Sequence, residues 1–355
     1  MTSPARVGLV GCGVISAKYA AELQRHDGVT LAACADQDPA RARAFASRWS
    51  VPRCLAPDEL LAAPDVDVVL NLTPPFAHAE VNGAALSAGK HVYSEKPLAA
   101  TFEEGAALVE QAGRLGLLIG GAPDTFFAAG MQAARLAIDA GAIGRPLSAF
   151  GAFASPGHER WHPNPDLYYR PGGGPMLDMG PYYVTALVFL LGPAVRVTGS
   201  VSIGVTERRI AQGERAGEVI HAEAPTHVTG TIEFASGAVA TLLMSFDVAA
   251  HRLPVFEIYG TEATLEAPDP ESFESTGSVL GDDGSVPLET EPIARERGVG
   301  LVDMAQAIAT GATPRASGAL ALHVLEVLSA FEASSRSGRH VELRTTAGRP
   351  EPLGG

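Results

Sequence analysis

The chain has no surplus of positive charge. Its 355 residues carry 26 Lys and Arg against 40 Asp and Glu, a formal net charge of −14. So acidic a chain gains nothing from a phosphate backbone, which argues against a nucleic-acid role. It also lacks a long apolar run: the longest, Tyr182 to Leu191, is far shorter than the roughly 20 residues a membrane span needs. Nothing in the N-terminal residues looks like a signal peptide, because Arg6-Val7-Gly8-Leu9-Val10 already reads as a strand. Cysteine is scarce: Cys12, Cys34 and Cys54 are an odd count without metal-ligand spacing, and no His, Asp or Cys pattern argues for a metal. These absences describe a cytoplasmic protein with reduced thiols and no bound metal. No internal repeat is evident. Apolar residues, at 46%, are ample for two cores.

The first third alternates short apolar runs with helical patterns. Arg6–Val10 leads at once into Gly11-Cys12-Gly13-Val14-Ile15-Ser16, and a helix pattern follows from Ala17 to His26. A glycine turn between a strand and a helix is the context in which a dinucleotide fingerprint has meaning. Gly11 permits the tight turn, Gly13 lets a pyrophosphate approach the backbone, and Ser16 is small enough for the third glycine's place. The next strand, Thr30 to Ala35, ends in Asp36, at the distance where an acidic residue takes the adenosine ribose hydroxyls. Its carboxylate would repel a 2′-phosphate and no basic residue follows directly, so NAD is favoured over NADP. The competing role for Asp36 is to cap the helix Pro39 to Trp49.

Asp67 to Leu72 is a further buried-type strand, closed by Thr73-Pro74-Pro75, with a helix pattern from Ala77 to Ala88. Then comes His91-Val92-Tyr93-Ser94-Glu95-Lys96-Pro97. Pro97 ends the strand and pushes Lys96 towards an extended backbone, so an ion pair stands at a sheet's carboxyl edge. On its own this is a surface pair of little worth. Thr101 with Glu104 forms a capping box for another helix, and Leu115 to Gly120 supplies one more strand. The alternation predicts a doubly wound parallel sheet over residues 1–124.

Residues 125–355 follow a different pattern. After a helix from Phe126 to Ala140, strand-like runs dominate: Pro146 to Phe153, Ala194 to Val205, and a hairpin within Thr226 to Asp247 turning at Ser236-Gly237. Val255–Tyr259 and Ala263–Glu266 form another. Pro268 to Arg297 reads as an irregular loop and edge region, and two helices close the chain, Leu301 to Ala309 and Ala319 to Ser335. This predicts a second, α+β domain with a large open, mostly antiparallel sheet.

Gly11-Cys12-Gly13-Val14-Ile15, Thr73-Pro74-Pro75 with His78 beyond, and Glu95-Lys96-Pro97 together resemble the Gfo/Idh/MocA family of dehydrogenases. The resemblance implies an NAD-binding Rossmann domain and a second domain for substrate binding and for assembly as a homodimer or homotetramer. It places Gly11, Gly13, Val14, Ile15, Asp36, Thr73, Pro74, His78, Glu95 and Lys96 at the cofactor. The segment Gly172 to Tyr183 resembles the family's glycine-rich stretch with an Asp and, four residues on, a His or Tyr. By position Asp178 and Tyr182 join Lys96 as the catalytic group, Tyr182 standing where inositol-type members have His. Thr185, where Asp is common, departs from the pattern.

Oxidising an alcohol requires removal of the hydroxyl proton as hydride leaves. Tyr182 is a candidate base whose phenolate an ammonium would favour, or Lys96 acts directly and Tyr182 orients the hydroxyl. Asp178 hydrogen-bonds a substrate hydroxyl or orients Lys96; alternatively it caps a helix with Pro181 in its first turn. Glu95 is assigned to the nicotinamide ribose. The loop His158 to Arg170 is polar and aromatic, and Trp161 and His162 suit a polyol; otherwise Trp161 packs on the core of a proline-fixed loop. His158 is expected at the solvent side, and His221, His227, His251 and His323 are structural. The expected activity is oxidation of a secondary hydroxyl of a sugar, cyclitol or related polyol. A redox-neutral enzyme retaining its nicotinamide and a non-catalytic sensor are the alternatives.

Overall fold

A computed structural model describes residues 3–290 and 295–353, which form two compact units. The first is built on six parallel strands: β1 (Ala5–Val10), β2 (Val29–Ala35), β3 (Cys54–Leu55), β4 (Val68–Asn71), β5 (His91–Ser94) and β6 (Ile119–Gly121). Their order is β3-β2-β1-β4-β5-β6. The strand order reverses between β1 and β4, the point at which parallel sheets of this kind bind ligands outside the strands' carboxyl ends. Strands covered on both faces need apolar side chains throughout, and β4, Val-Val-Leu-Asn, is buried along its whole length.

Helices α1 (Ser16–Leu23), α2 (Pro39–Trp49), α3 (Pro57–Ala62), α4 (His78–Ser87) and α5 (Phe102–Leu115) connect these strands. Thr101 accepts from Glu104 N while Glu104 returns the bond to Thr101 N, the reciprocal cap expected from their spacing. Asp38, not Asp36, caps α2, with its carboxylate on the Ala40 and Arg41 N–H groups. Leu115 is the last residue of α5 rather than the start of a strand. Gly116 turns left-handed at φ +66° and delays β6 to Ile119.

The second unit begins with α6 (Ala129–Asp139) and is organised on a nine-stranded sheet. Its strands are β7 (Pro146–Ala154), β8 (Ala194–Ser202), β11 (His227–Phe234), β12 (Val239–Ser245), β13 (Phe256–Gly260), β14 (Thr264–Glu266), β15 (Ser278–Gly281), β16 (Gly284–Pro287) and β17 (Val341–Glu342). A small separate pair is made by β9 (Glu207–Arg209) and β10 (Val219–His221). Every pairing in the large sheet is antiparallel except β7 with β12. The hairpin β15–β16 lies inside the segment expected to be irregular. Its Gly, Ser and Pro residues hide the strand pattern, and β16 is exposed throughout at the sheet's edge. Between β7 and β8 stand α7 (Pro175–Asp178) and α8 (Gly180–Leu191). Helix α8 is apolar on all sides and wholly buried, a core helix.

The chain is not divided into two consecutive halves. Described residues Arg295 to Leu325 belong to the first unit, which otherwise ends at Ala128. They include α9 (Val299–Thr310) and the start of α10 (Gly318–Ser337). Asp124, buried just after β6, anchors this return by accepting from Gly298 N at 2.8 Å and Gly300 N at 3.1 Å.

Candidate active site

The glycine turn follows β1 directly. Gly11 has φ +98°, and a Cβ there would stand 2.7 Å from the Leu72 carbonyl atoms, so only glycine fits. Gly13 is exposed, with nothing within 4 Å of an added Cβ, leaving its backbone open to a phosphate. Its carbonyl accepts from Ser16 Oγ at 2.6 Å, so the serine closes the turn as well as fitting under it. Val14 is 99% exposed and Ile15 half-buried: an apolar lip on the open crevice. These features fit a dinucleotide.

Asp36 directly follows β2, buried, with Oδ2 accepting from Cys12 N and Oδ1 from Asp38 N, both at 2.8 Å. It therefore pins the glycine turn to the next strand. The sequence shows no basic residue directly after it, yet the first turn of α2 brings the Arg41 guanidinium to 3.3 Å from the carboxylate. The three cysteines, distant in sequence, also converge here. Cys34 pairs in register with Cys54 across β2 and β3, and the Cys12 thiol is pushed up by Cys34 and by burial.

After β4, Thr73 donates through both N and Oγ1 to Asn71 Oδ1. Asn71 continues to Asn82 at 2.8 Å, and Asn82 to Ser94 Oγ at 3.1 Å. This buried amide chain ties the ends of β4 and β5 through α4. The polar Asn71 closing an apolar strand was its one sequence signal. Pro74 is exposed beside Thr73. His78, expected at the cofactor, is instead fully buried with Nδ1 2.6 Å from Pro97 O and Nε2 2.7 Å from Thr73 O. Its two nitrogens face the Pro97 and Thr73 carbonyls, and the neutral ring donates to one of them. Burial pushes its pKa below the usual 6.5 against the pull of both carbonyls.

Glu95 follows β5 and is buried, with Oε1 accepting from Tyr19 Oη at 2.8 Å and Oε2 from Lys96 N at 2.9 Å. The adjoining Lys96 is half-buried. Rather than a loose surface group, Glu95 is a buried carboxylate fixed by the Tyr19 hydroxyl and the Lys96 backbone N–H.

In the second unit Asp178 ends α7 and Tyr182 sits in the first turn of α8, beside Pro181. The helix starts late, as proline requires, but Asp178 is not its cap: Met179 holds that place without a side-chain bond. Tyr182 is buried and Asp178 partly exposed. His158, expected at the solvent side, is buried with Nε2 2.9 Å from Asp178 Oδ2. Trp161 is 53% exposed, which sets aside its packing in the core, and its ring lies 5.4 Å from that of half-buried His162. Beneath this loop Arg208, buried, reaches Glu159 and Asp247 and lies over the Tyr169 ring at 4.7 Å. No group of three metal-binding side chains exists among the described residues, and no described helix is long and apolar enough to cross a membrane.

Residues 5–120 match the model of an oxidoreductase family with an NAD-binding Rossmann fold, and residues 131–266 match the GFO/IDH/MocA C-terminal domain. The chain belongs to the Gfo/Idh/MocA family. It is similar to a 1,5-anhydro-D-fructose reductase of Ensifer adhaerens, 32% identical over 73% of this chain and 74% of the other. A D-xylose 1-dehydrogenase (NADP(+)) of Haloferax volcanii is 29% identical over 95% and 98%. Among solved structures, an NAD binding oxidoreductase from Klebsiella pneumoniae superposes with a TM-score of 0.83 at 27% identity, covering 96% of this chain and 99% of that one. The protein is thus an NAD(P)-dependent oxidoreductase from a Gfo/Idh/MocA group whose relatives are named for sugars.

Proposed function

We propose that this Gfo/Idh/MocA protein is an NAD-linked dehydrogenase that oxidises a secondary hydroxyl of a sugar, cyclitol or related polyol. The observation that carries this reading is the strand order of the first unit. It brings Gly13, Thr73 and half-buried Lys96 to neighbouring carboxyl edges, after β1, β4 and β5, the side on which such sheets bind ligands. The residues that would hold the dinucleotide are Gly11, Gly13, Val14, Ile15, Asp36, Thr73, Pro74, Glu95 and Lys96. When bound, its nicotinamide supplies the hydride acceptor.

The protein's own groups manage the hydroxyl proton. Tyr182 removes it as a phenolate, or Lys96 as an amine, and Asp178 accepts a hydrogen bond from a second substrate hydroxyl. Trp161 and His162 offer an exposed aromatic surface beside which a sugar ring can stack. The preference for NAD rests on the buried Asp36 carboxylate, which opposes a 2′-phosphate; Arg41 works the other way from a side chain that is mostly in solvent. A second copy of the chain would pair through the open face of the large sheet, where Thr198, Thr229 and Thr231 are incompletely covered; sedimentation checks the expected dimer or tetramer. A panel of aldoses, anhydro sugars, glycosides and cyclitols scored for NADH formation tests the activity. A sugar that reacts with no stoichiometric NADH would point instead to redox-neutral chemistry, and no reaction on any would refute the reading.

A further inference from the structure

His158 begins the 3-10 turn His158–Arg160 that follows β7, and its imidazole is buried. Nε2 lies 2.9 Å from Oδ2 of Asp178. An ionised carboxylate only accepts, so Nε2 carries the hydrogen and Nδ1 is the bare ring nitrogen. That Nδ1 is buried and has no hydrogen-bond partner. Around the ring stand Tyr168, Phe246 and Trp161, with centroids at 4.3, 4.4 and 5.0 Å. The His158 backbone N–H donates to the Tyr169 hydroxyl at 3.0 Å, and that hydroxyl bonds Glu159, which is paired with buried Arg208. Backbone and ring faces are therefore fixed, and the ring offers a hydrogen in one direction, towards Asp178. A phenylalanine would fill this aromatic enclosure without an unpaired lone pair. What histidine adds is the donor.

We propose that His158 is a positioning residue for the substrate. By donating to Oδ2 it holds the Asp178 carboxylate in one rotamer, the orientation in which it meets a substrate hydroxyl. Where the family pattern has His or Tyr four residues after the Asp, this chain has Tyr182, and the imidazole beside the carboxylate comes from a separate loop. The inference rests on the reading that Asp178 binds substrate.

The test uses the full chain with NAD and the panel of aldoses, anhydro sugars, glycosides and cyclitols. His158→Phe keeps the ring and removes the donor; His158→Gln keeps a donor. The Phe variant is expected to lose roughly tenfold or more in kcat/KM with NAD affinity and thermal midpoint unchanged, and the Gln variant to recover most of it. Adding His158→Phe to Asp178→Asn should cost little beyond Asp178→Asn alone. If Asp178→Asn is impaired while His158→Phe is fully active, the positioning role is overturned and the site reading survives. Unchanged turnover in Asp178→Asn, or no turnover of any panel sugar, overturns that site reading and this inference with it. Should the Phe variant not fold, ring nitrogen-15 spectra of the unmodified protein decide: a hydrogen on Nδ1 with bare Nε2 contradicts the proposal.

Discussion

Asp124→Asn should stabilise the first unit at neutral and alkaline pH. Asp124 is fully buried after β6; Oδ2 takes the Gly298 and Gly300 N–H groups, while Oδ1 and the hydroxyl of Tyr93 have no hydrogen-bond partner. Burial raises its pKa from 3.8 to about 6, against the pull of those two N–H groups and Arg297. Holding it ionised at pH 8 therefore costs roughly 3 kcal/mol. Asparagine presents the same acceptor to Gly298 and Gly300 and places an NH2 where the unpaired oxygen was. The pKa is raised on folding, so the wild-type carboxyl's favourable contribution is complete below 3.8 and is lost as pH climbs through about 6. The stability gap between variant and wild type should be up to about 3 kcal/mol at pH 8 and roughly half that at pH 5. Of the two tryptophans, Trp49 lies in the first unit and Trp161 in the second. In a Trp161→Phe background, denaturant titrations followed by Trp49 fluorescence report on the unit that holds Asp124. A gap that does not change from pH 5 to pH 8, or a variant less stable at pH 8, would refute the reasoning.

Lys96→Ala should weaken NAD binding, by calorimetry, and at saturating NAD lose about 10²- to 10⁴-fold in kcat; retained turnover would remove Lys96 from the chemistry. Asp36→Ala should weaken NAD binding and raise the use of NADP, and Arg41→Ala should lower NADP use alone, both read as ratios of kcat/KM. An unchanged ratio in Asp36→Ala would count against the ribose role. His78→Leu removes the one N–H that a neutral ring gives to the Pro97 and Thr73 carbonyls and should lower stability by about 1–3 kcal/mol in denaturant titrations. Because the His78 pKa is depressed on folding, wild type should lose stability as pH falls below 6.5 and through the folded value, a slope the variant lacks.

The local devices were legible because each is written within a few adjacent residues. The glycine turn after β1, the Thr101–Glu104 capping box and the Ser236-Gly237 hairpin depend on backbone conformations and short-range bonds that spacing alone specifies. The parallel six-stranded sheet followed from the alternation of strand and helix, and family membership from three motifs of this kind. Pairing across the chain left no such trace. Asp36 was read correctly as standing at the strand end, but Arg41 reaches it only once α2 has wound, and His78 meets Pro97 only once α4 lies beside β5. The return of Arg295–Leu325 to the first unit is tied in part by a buried carboxylate 174 residues before Gly298. The same holds for His158. As a residue in a polar loop it was assigned to solvent, and only the tertiary structure turned it inward onto Asp178, twenty positions away. Sequence determined where the turns, caps and family motifs lie, since turn and strand propensities are local. The fold decided which side chains are held, by which partners, because burial and long-range hydrogen bonds exist only after packing.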